Sequence, residues 1–243
     1  HSNDYDNMPS VQNYLRFFGK FLTKGCVPFS WAVSGLSFRP MADESIISYK
    51  LTDRNIYRRP GLLPGRGSSI RNCDYGNLPP PGQVCDVEVK SLSPCIAENH
   101  FGYHKGSPCV FLSLNTPSGW RPVFYNDTNA LPDAMPASLK SYILDLKNTD
   151  PRQLNTIWVT CEGENPADLE FVGPIEYLPR QGFPGYYFRH GHPEGWLSPL
   201  VAVHFMRPNI GPLINIKCKA WARNIKHDDN SALGGVRFGL MLE

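Results

Sequence analysis

From Val84 onward, apolar residues recur along the chain with a period of two. Cys85, Val87 and Val89 alternate with Asp86, Glu88 and Lys90, as in a strand with one face buried. Ile157, Val159 and Cys161 alternate in the same way. So do Ile214, Ile216, Cys218, Ala220 and Ala222, and then Val236, Phe238, Leu240 and Leu242. Cys109–Leu114 is a short unbroken apolar run, which suits a strand covered on both faces. A period near 3.6 occurs in two places only. Asp133–Lys147 carries Leu139, Ile143 and Leu146 on one helical face. Val11–Lys24 carries Val11, Leu15, Phe18 and Leu22, with Ser10 as its cap and Gly25 at its end. Short strands separated by proline and glycine turns predict a mainly β protein, an antiparallel sandwich with one or two peripheral helices. There is no internal repeat.

Composition sharpens this reading. Proline accounts for 23 of 243 residues, about twice the usual share, and with 21 glycines it excludes long bundles and coiled coils. Residues 41–83 read as an irregular arm. Pro60, Gly61, Pro64, Gly65, Gly67 and the triplet Pro79-Pro80-Pro81 leave room only for short extended pieces. The net charge is +2, too mild for a nucleic-acid binder. Arg16, Lys20 and Lys24 do form a basic stripe on the N-terminal helical pattern. Residues 10–25 are therefore either a helix packed on its own domain or a contact for a membrane surface or partner. The chain opens on His1 rather than Met, as processed or truncated chains do. Its apolar stretches near Cys26–Val33 and Leu197–Met206 fall well short of the roughly 20 residues a spanning helix needs, so no membrane span is expected.

Candidate chemistry is sparse. His190 and His192 have a metal-ligand spacing, but only Glu194 lies near them, and a solvated loop is the better reading. His204 falls in an apolar run, where a strand-face histidine is the default, and His100 and His104 flank a Gly-Tyr turn. Glu162 and Glu164 alternate on a strand end and read as solvated. No nucleophile elbow, zinc-protease motif or phosphate loop is present, so neither catalysis nor a cofactor or metal is expected. Asn126-Asp127-Thr128 is an N-glycosylation sequon in a polar loop. The seven cysteines, Cys26, Cys73, Cys85, Cys95, Cys109, Cys161 and Cys218, contain no CxxC pair. They suggest an extracytosolic disulfide framework with one cysteine left over. Spacing alone leaves about 105 pairings open.

A family resemblance narrows these choices. Phe101-Gly102-Tyr103-His104-Lys105-Gly106-Ser107-Pro108-Cys109 resembles the YGYxxGxPC segment of the β subunit of sodium/potassium-transporting ATPases, most closely the insect forms. Leu114-Asn115, Gly119-Trp120-Arg121-Pro122, Cys161-Glu162-Gly163-Glu164 and Gly173-Pro174-Ile175-Glu176-Tyr177 follow in the family's order. Gly182-Phe183-Pro184, Tyr186-Tyr187, Leu200–Phe205 and Ile216–Trp221 through Asn224-Ile225 continue it, and Ser37-Phe38-Arg39-Pro40 is similar to the family's FRP segment.

The resemblance implies an immunoglobulin-like sandwich over residues 84–243. Residues 37–83 would be the proline-rich arm, and 1–36 an N-terminal segment outside the match. It also implies three sequential disulfides, Cys73–Cys85, Cys95–Cys109 and Cys161–Cys218, with Cys26 free or paired with another chain. The function implied is that of a non-catalytic subunit. Such a chain binds the catalytic α subunit of a P-type cation pump, supports its folding and delivery to the plasma membrane, and tunes cation affinity. Tyr186, Tyr187 and Phe188 stand at the family's α-contact aromatics, and the family places this domain on the extracellular side. Phe188 replaces the family's proline, Arg189-His190 replaces the second aromatic pair, and Thr116 stands where the family carries Lys or Arg. The family's membrane span, expected before Ser37, has no counterpart in this sequence. The alternative reading is a secreted or surface-anchored module of the same fold, acting in adhesion with cell-surface partners.

Overall fold

The computed structural model describes residues 24–28, 35–39, 70–116, 119–190, 196–227 and 234–242. Strands form at the period-two segments from Ile157 onward and at the Cys109–Leu114 run, and also in stretches that showed neither pattern. β1 (Lys24–Pro28), β2 (Gly35–Arg39), β3 (Ile70–Arg71), β4 (Val84–Cys85) and β5 (Cys109–Asn115) come first. β6 (Thr156–Gly163), β7 (Ile175–Leu178), β8 (Gly182–Pro184), β9 (Leu200–Phe205), β10 (Ile214–Trp221) and β11 (Gly235–Leu242) follow. One antiparallel sheet runs β1-β11-β10-β6-β8 and a second runs β2-β5-β9-β7; β3 and β4 form a separate parallel pair.

The apolar sets meet between the two large sheets. Val110, Leu112, Val201, Val203 and Phe205 from one sheet pack with Ile157, Val159, Ile216, Phe238 and Leu240 from the other. Phe205 and Phe238 meet edge to face, their ring centres 6.3 Å apart. The outer faces are covered too. Leu200, Ala202, Cys109 and Phe111 pack under the segment that carries Val87, Leu92 and Phe101. Trp158 and Trp221 pack under α1 (Ala137–Thr149) through Leu139 and Ile143. Burial on both faces explains why β5 and β9 read as continuous apolar runs rather than alternating ones.

Several elements differ from the sequence expectation. The strand expected over residues 84–90 shrinks to the two residues of β4. Among the described residues its only strand partner is the two-residue β3, after which Asp86 N–H bonds to Arg71 O and the chain turns at Val89–Leu92. The alternating valines there pack instead on the outer face of β5 and β9. The Asp133 helix starts later, at Ala137, because Pro136 supplies the cap position and helical hydrogen bonding begins with Lys140 N–H on Pro136 O. A short helix, α2 (Pro166–Phe171), was not anticipated; Asn165 caps it by accepting from Asp168 N–H, and Pro166 opens it. The N-terminal helix expected over Val11–Lys24 lies outside the described residues, save Lys24, which opens β1.

Three disulfides close with the pairing that the resemblance implies: Cys73–Cys85, Cys95–Cys109 and Cys161–Cys218. Cys161 and Cys218 are direct cross-strand partners on β6 and β10. The bridge therefore staples one sheet rather than joining two, unlike the inter-sheet bridge of antibody domains. A different bond ties the sheets together. The Tyr177 hydroxyl, carried on β7, accepts from Cys161 N–H at 2.7 Å on β6. Burial pushes the Tyr177 phenol up to about 12 from its ordinary 10.0.

Two outcomes follow. Replacing Cys161 and Cys218 together by alanine opens a closure of 57 residues and costs about 4 kcal/mol in urea unfolding. Tyr177 stays protonated in the fold at pH values where an unfolded tyrosine ionises. Its contribution is therefore intact below pH 10 and fades as the pH rises from 10 toward 12. Stability measured across that window falls by about 1–2 kcal/mol more in the native protein than in Tyr177→Phe.

Candidate partner-binding face

The face is built from the turn that follows β8. Pro184 ends the strand, and Gly185–Phe188 forms one 3₁₀ turn. Gly185 N–H bonds to Asn155 O at 2.8 Å. Only glycine fits here, because a Cβ would come within 2.4 Å of the Phe124 ring and 2.7 Å of Asn155 O. The three aromatics that follow have distinct environments.

Phe188 is 1% exposed, its ring edge-on to Trp120 and tilted against Trp196, both at 6.1 Å. Phe188 thus anchors the turn from inside and has no surface to offer a partner. Tyr187 is half-buried against both apolar clusters, and its hydroxyl donates to Asp86 O at 2.8 Å. Burial, with the neighbouring Tyr186 next in weight, raises its phenol far above the ordinary range. Trp196 Nε1–H closes the arrangement on Tyr187 O at 2.8 Å. Tyr186 lies at the edge, 4.7 Å from the Tyr187 ring and 5.3 Å edge-on from Tyr75.

Tyr75 is itself fixed. Its hydroxyl meets Thr156 Oγ1 at 2.5 Å, and the Arg180 guanidinium lies 5.0 Å from its ring centre. Burial raises the phenols of both Tyr75 and Tyr186. Tyr75 follows Cys73 by two residues and Asp86 follows Cys85 directly, so the Cys73–Cys85 bridge holds together both segments that brace the tyrosine turn. His190 Nε2–H donates to Pro79 O at 2.9 Å and ties the triple-proline segment to the same turn.

A cavity of about 580 Å³ opens beside Tyr186. Tyr75 and Phe124 contribute aromatic wall, Arg121, Arg152 and Arg189 contribute guanidinium groups and His190 an imidazole; among the described residues no carboxylate lines it. Arg152 is already engaged by Asp150, Nε to Oδ1 at 2.9 Å and Nη2 to Oδ2 at 3.2 Å. That pairing holds the Asp150 carboxyl below its usual range.

The other candidate residues disperse. His192 and Glu194 lie outside the described residues, and among the described residues no cluster of three or more histidines, cysteines and acids is placed to hold a metal. Glu162 pairs with Lys217 across β6 and β10 at 3.7 Å, and Glu164, just past β6, pairs with Arg237 of β11 at 2.7 Å; both acids stay exposed to solvent, as expected. His204 is the strand-face residue expected, but with an arrangement the sequence did not reveal. Its Nδ1 faces Glu176 Oε2 at 3.1 Å, and its Nε2 faces Ser107 Oγ at 2.7 Å. Glu176 and His204 are cross-strand partners. The row resembles a nucleophile, base and acid. However, Ser107 Oγ donates to Phe205 O at 3.2 Å, which commits its proton to a backbone carbonyl, and its N–H is spent on Gly102 O. The geometry suits a clasp joining the β5 approach to β9 and β7. Gly102, at φ +80°, makes that approach possible, since a Cβ would sit 1.9 Å from Ser107 O. Asn126 is exposed, while Thr128 of its sequon is buried and accepts from Lys147 Nζ at 2.8 Å. Among the described residues no helix is long and apolar enough to cross a membrane.

Comparison with known proteins agrees with the fold. The model of the sodium/potassium ATPase beta chain family matches residues 65–238. Sodium/potassium-transporting ATPase subunit beta-2 of Drosophila melanogaster is 50% identical over 228 residues, covering 86% of this chain and 71% of that protein. Subunit beta-1 of the same fly is 36% identical over 227 residues, with the same coverage. Human subunit beta-2 is 28% identical over 180 residues, 70% of this chain and 51% of that protein. The chain belongs to the sodium/potassium ATPase beta chain family, the non-catalytic subunits of that pump.

Proposed function

We propose that this chain binds the catalytic α subunit of a sodium/potassium-type pump through the Tyr186–Tyr187 turn, and so supports the pump's folding, its delivery to the plasma membrane and its cation affinity. The observation that carries this reading is the bracing of the turn. A buried phenylalanine, a tyrosine hydroxyl on a backbone carbonyl and the Cys73–Cys85 bridge hold it before any partner arrives. A rigid aromatic turn of this kind suits an interface anchor, because little side-chain entropy remains to be lost on binding. Tyr186 is the contact residue in this reading, Tyr187 lends its outer edge, and Phe188 positions both. The domain would lie on the extracellular side, with Asn126 displayed to the secretory machinery and carrying a glycan.

Co-expression with an α subunit tests the assignment. Tyr186→Ala lowers the α subunit recovered with the chain by about tenfold, while the three disulfides still form. Phe188→Ala instead destabilises the domain by about 3–5 kcal/mol. Undiminished recovery with Tyr186→Ala rejects the turn as the contact. Glycosidase treatment of the chain secreted or displayed by animal cells increases its gel mobility, and Asn126→Gln removes that shift.

A further inference from the structure

The cavity beside Tyr186 has a chemistry of its own. Over the whole chain, acids and bases nearly cancel, with 24 lysines and arginines against 22 acids. The cavity departs from that balance, gathering three arginines with no carboxylate among the described residues of its lining. The carboxylates that come near are already committed. Asp150 holds Arg152, and Asp74 Oδ1 accepts from the backbone N–H groups of Gly76 and Asn77 at 2.6 and 2.7 Å. His190 is spent on Pro79 O. Arg121 and Arg189 remain, both exposed, and neither pairs with an acid among the described residues. The two come from segments nearly 70 residues apart and converge on one hollow with an aromatic wall.

We infer that this cavity is a receptor for an acidic loop of the α subunit, whose carboxylates would reach Arg121 and Arg189 while an adjoining apolar or aromatic residue packs on Phe124 and Tyr75. The inference rests on the α-binding reading above and adds the chemistry of the partner. A guanidinium presents a planar fork of donors that matches a carboxylate, and a half-enclosed wall strengthens that pairing relative to open water. The hollow is continuous with Tyr186, so one partner segment would span both. A protein loop suits the cavity better than a free anion, because the aromatic wall offers contact that a bare carboxylate or sulfate would leave unused.

The experiment uses the full chain co-expressed with an α subunit and captured in detergent. Arg121→Glu/Arg189→Glu should recover about tenfold less α than the native chain, and Arg121→Lys/Arg189→Lys should keep most of it. Recovery by the native chain should also fall as salt rises from about 0.05 to 0.5 M, with a slope that flattens in the glutamate variant. Both arginines are exposed, so folding is checked by an unchanged melting temperature and three intact disulfides. If the native chain and Tyr186→Ala behave as proposed but the glutamate variant recovers α normally, the receptor is overturned and the α-binding turn stands. If the native chain recovers no α, both readings fall. Capture of a sulfated polysaccharide by the native chain, lost in the glutamate variant while α recovery is unaffected, reassigns the cavity to glycan and overturns the protein loop.

Discussion

Everything on this molecule's surface depends on covering both faces of its central strands. β5 and β9 bury residues toward the opposite sheet and also away from it, and the outer layer comes from a segment with almost no regular structure. A segment of that kind cannot hold itself in place by backbone ladders, so other restraints take over. Cys95–Cys109 fastens it to the first residue of β5, and Phe101 packs edge-on to Phe111 at 5.9 Å. The Ser107–His204–Glu176 row then fixes the approach to β5 against β9 and β7. The disulfides and polar clasps are thus placed where hydrophobic patterning runs out of secondary structure to organise.

The same logic places the candidate interface. The turn after β8 is short and would be loose if left to its own hydrogen bonds. It is held from beneath by Phe188, from the side by Asp86 O on Tyr187, and from above by Tyr75. Two of those restraints originate in or directly beside the Cys73–Cys85 loop, about a hundred residues earlier in the chain. A covalent bridge in a loop-rich arm thereby becomes a support for an aromatic surface on the sandwich. Rigidity there favours association, because the ordering is complete before binding.

Sequence reading went furthest where burial is periodic. β5, β6, β9, β10 and β11 were visible because each carries an apolar pattern that suits a buried or half-buried strand. The 84–90 segment has the same pattern yet forms a two-residue strand, since periodicity reports which residues are buried and not which backbone pairs with which. α2 did carry a signal, the Asn165-Pro166 start with Asp168 in its first turn, although six residues are too few for helical periodicity to show. The tyrosine turn was found by family resemblance, but the burial of Phe188 was not, because nothing local distinguishes it from its neighbours. Arg121, Arg189 and Tyr75 come together only through tertiary packing, as do Ser107, Glu176 and His204. No spacing rule connects them.

The most direct test of the central claim is site-specific photocrosslinking in the assembled pump. A photoreactive amino acid is placed at Tyr186 in one preparation. In another it replaces Ile210, which is 69% exposed in the loop before β10. β6 separates the two sites: β8 pairs with its start, Pro184 opposite Thr156, and the start of β10 lies at its far end, Ile216 opposite Gly163. The account predicts a covalent adduct with the α subunit from position 186. An adduct from position 210 with none from 186 would contradict it, and would move the interface to the other end of the sandwich.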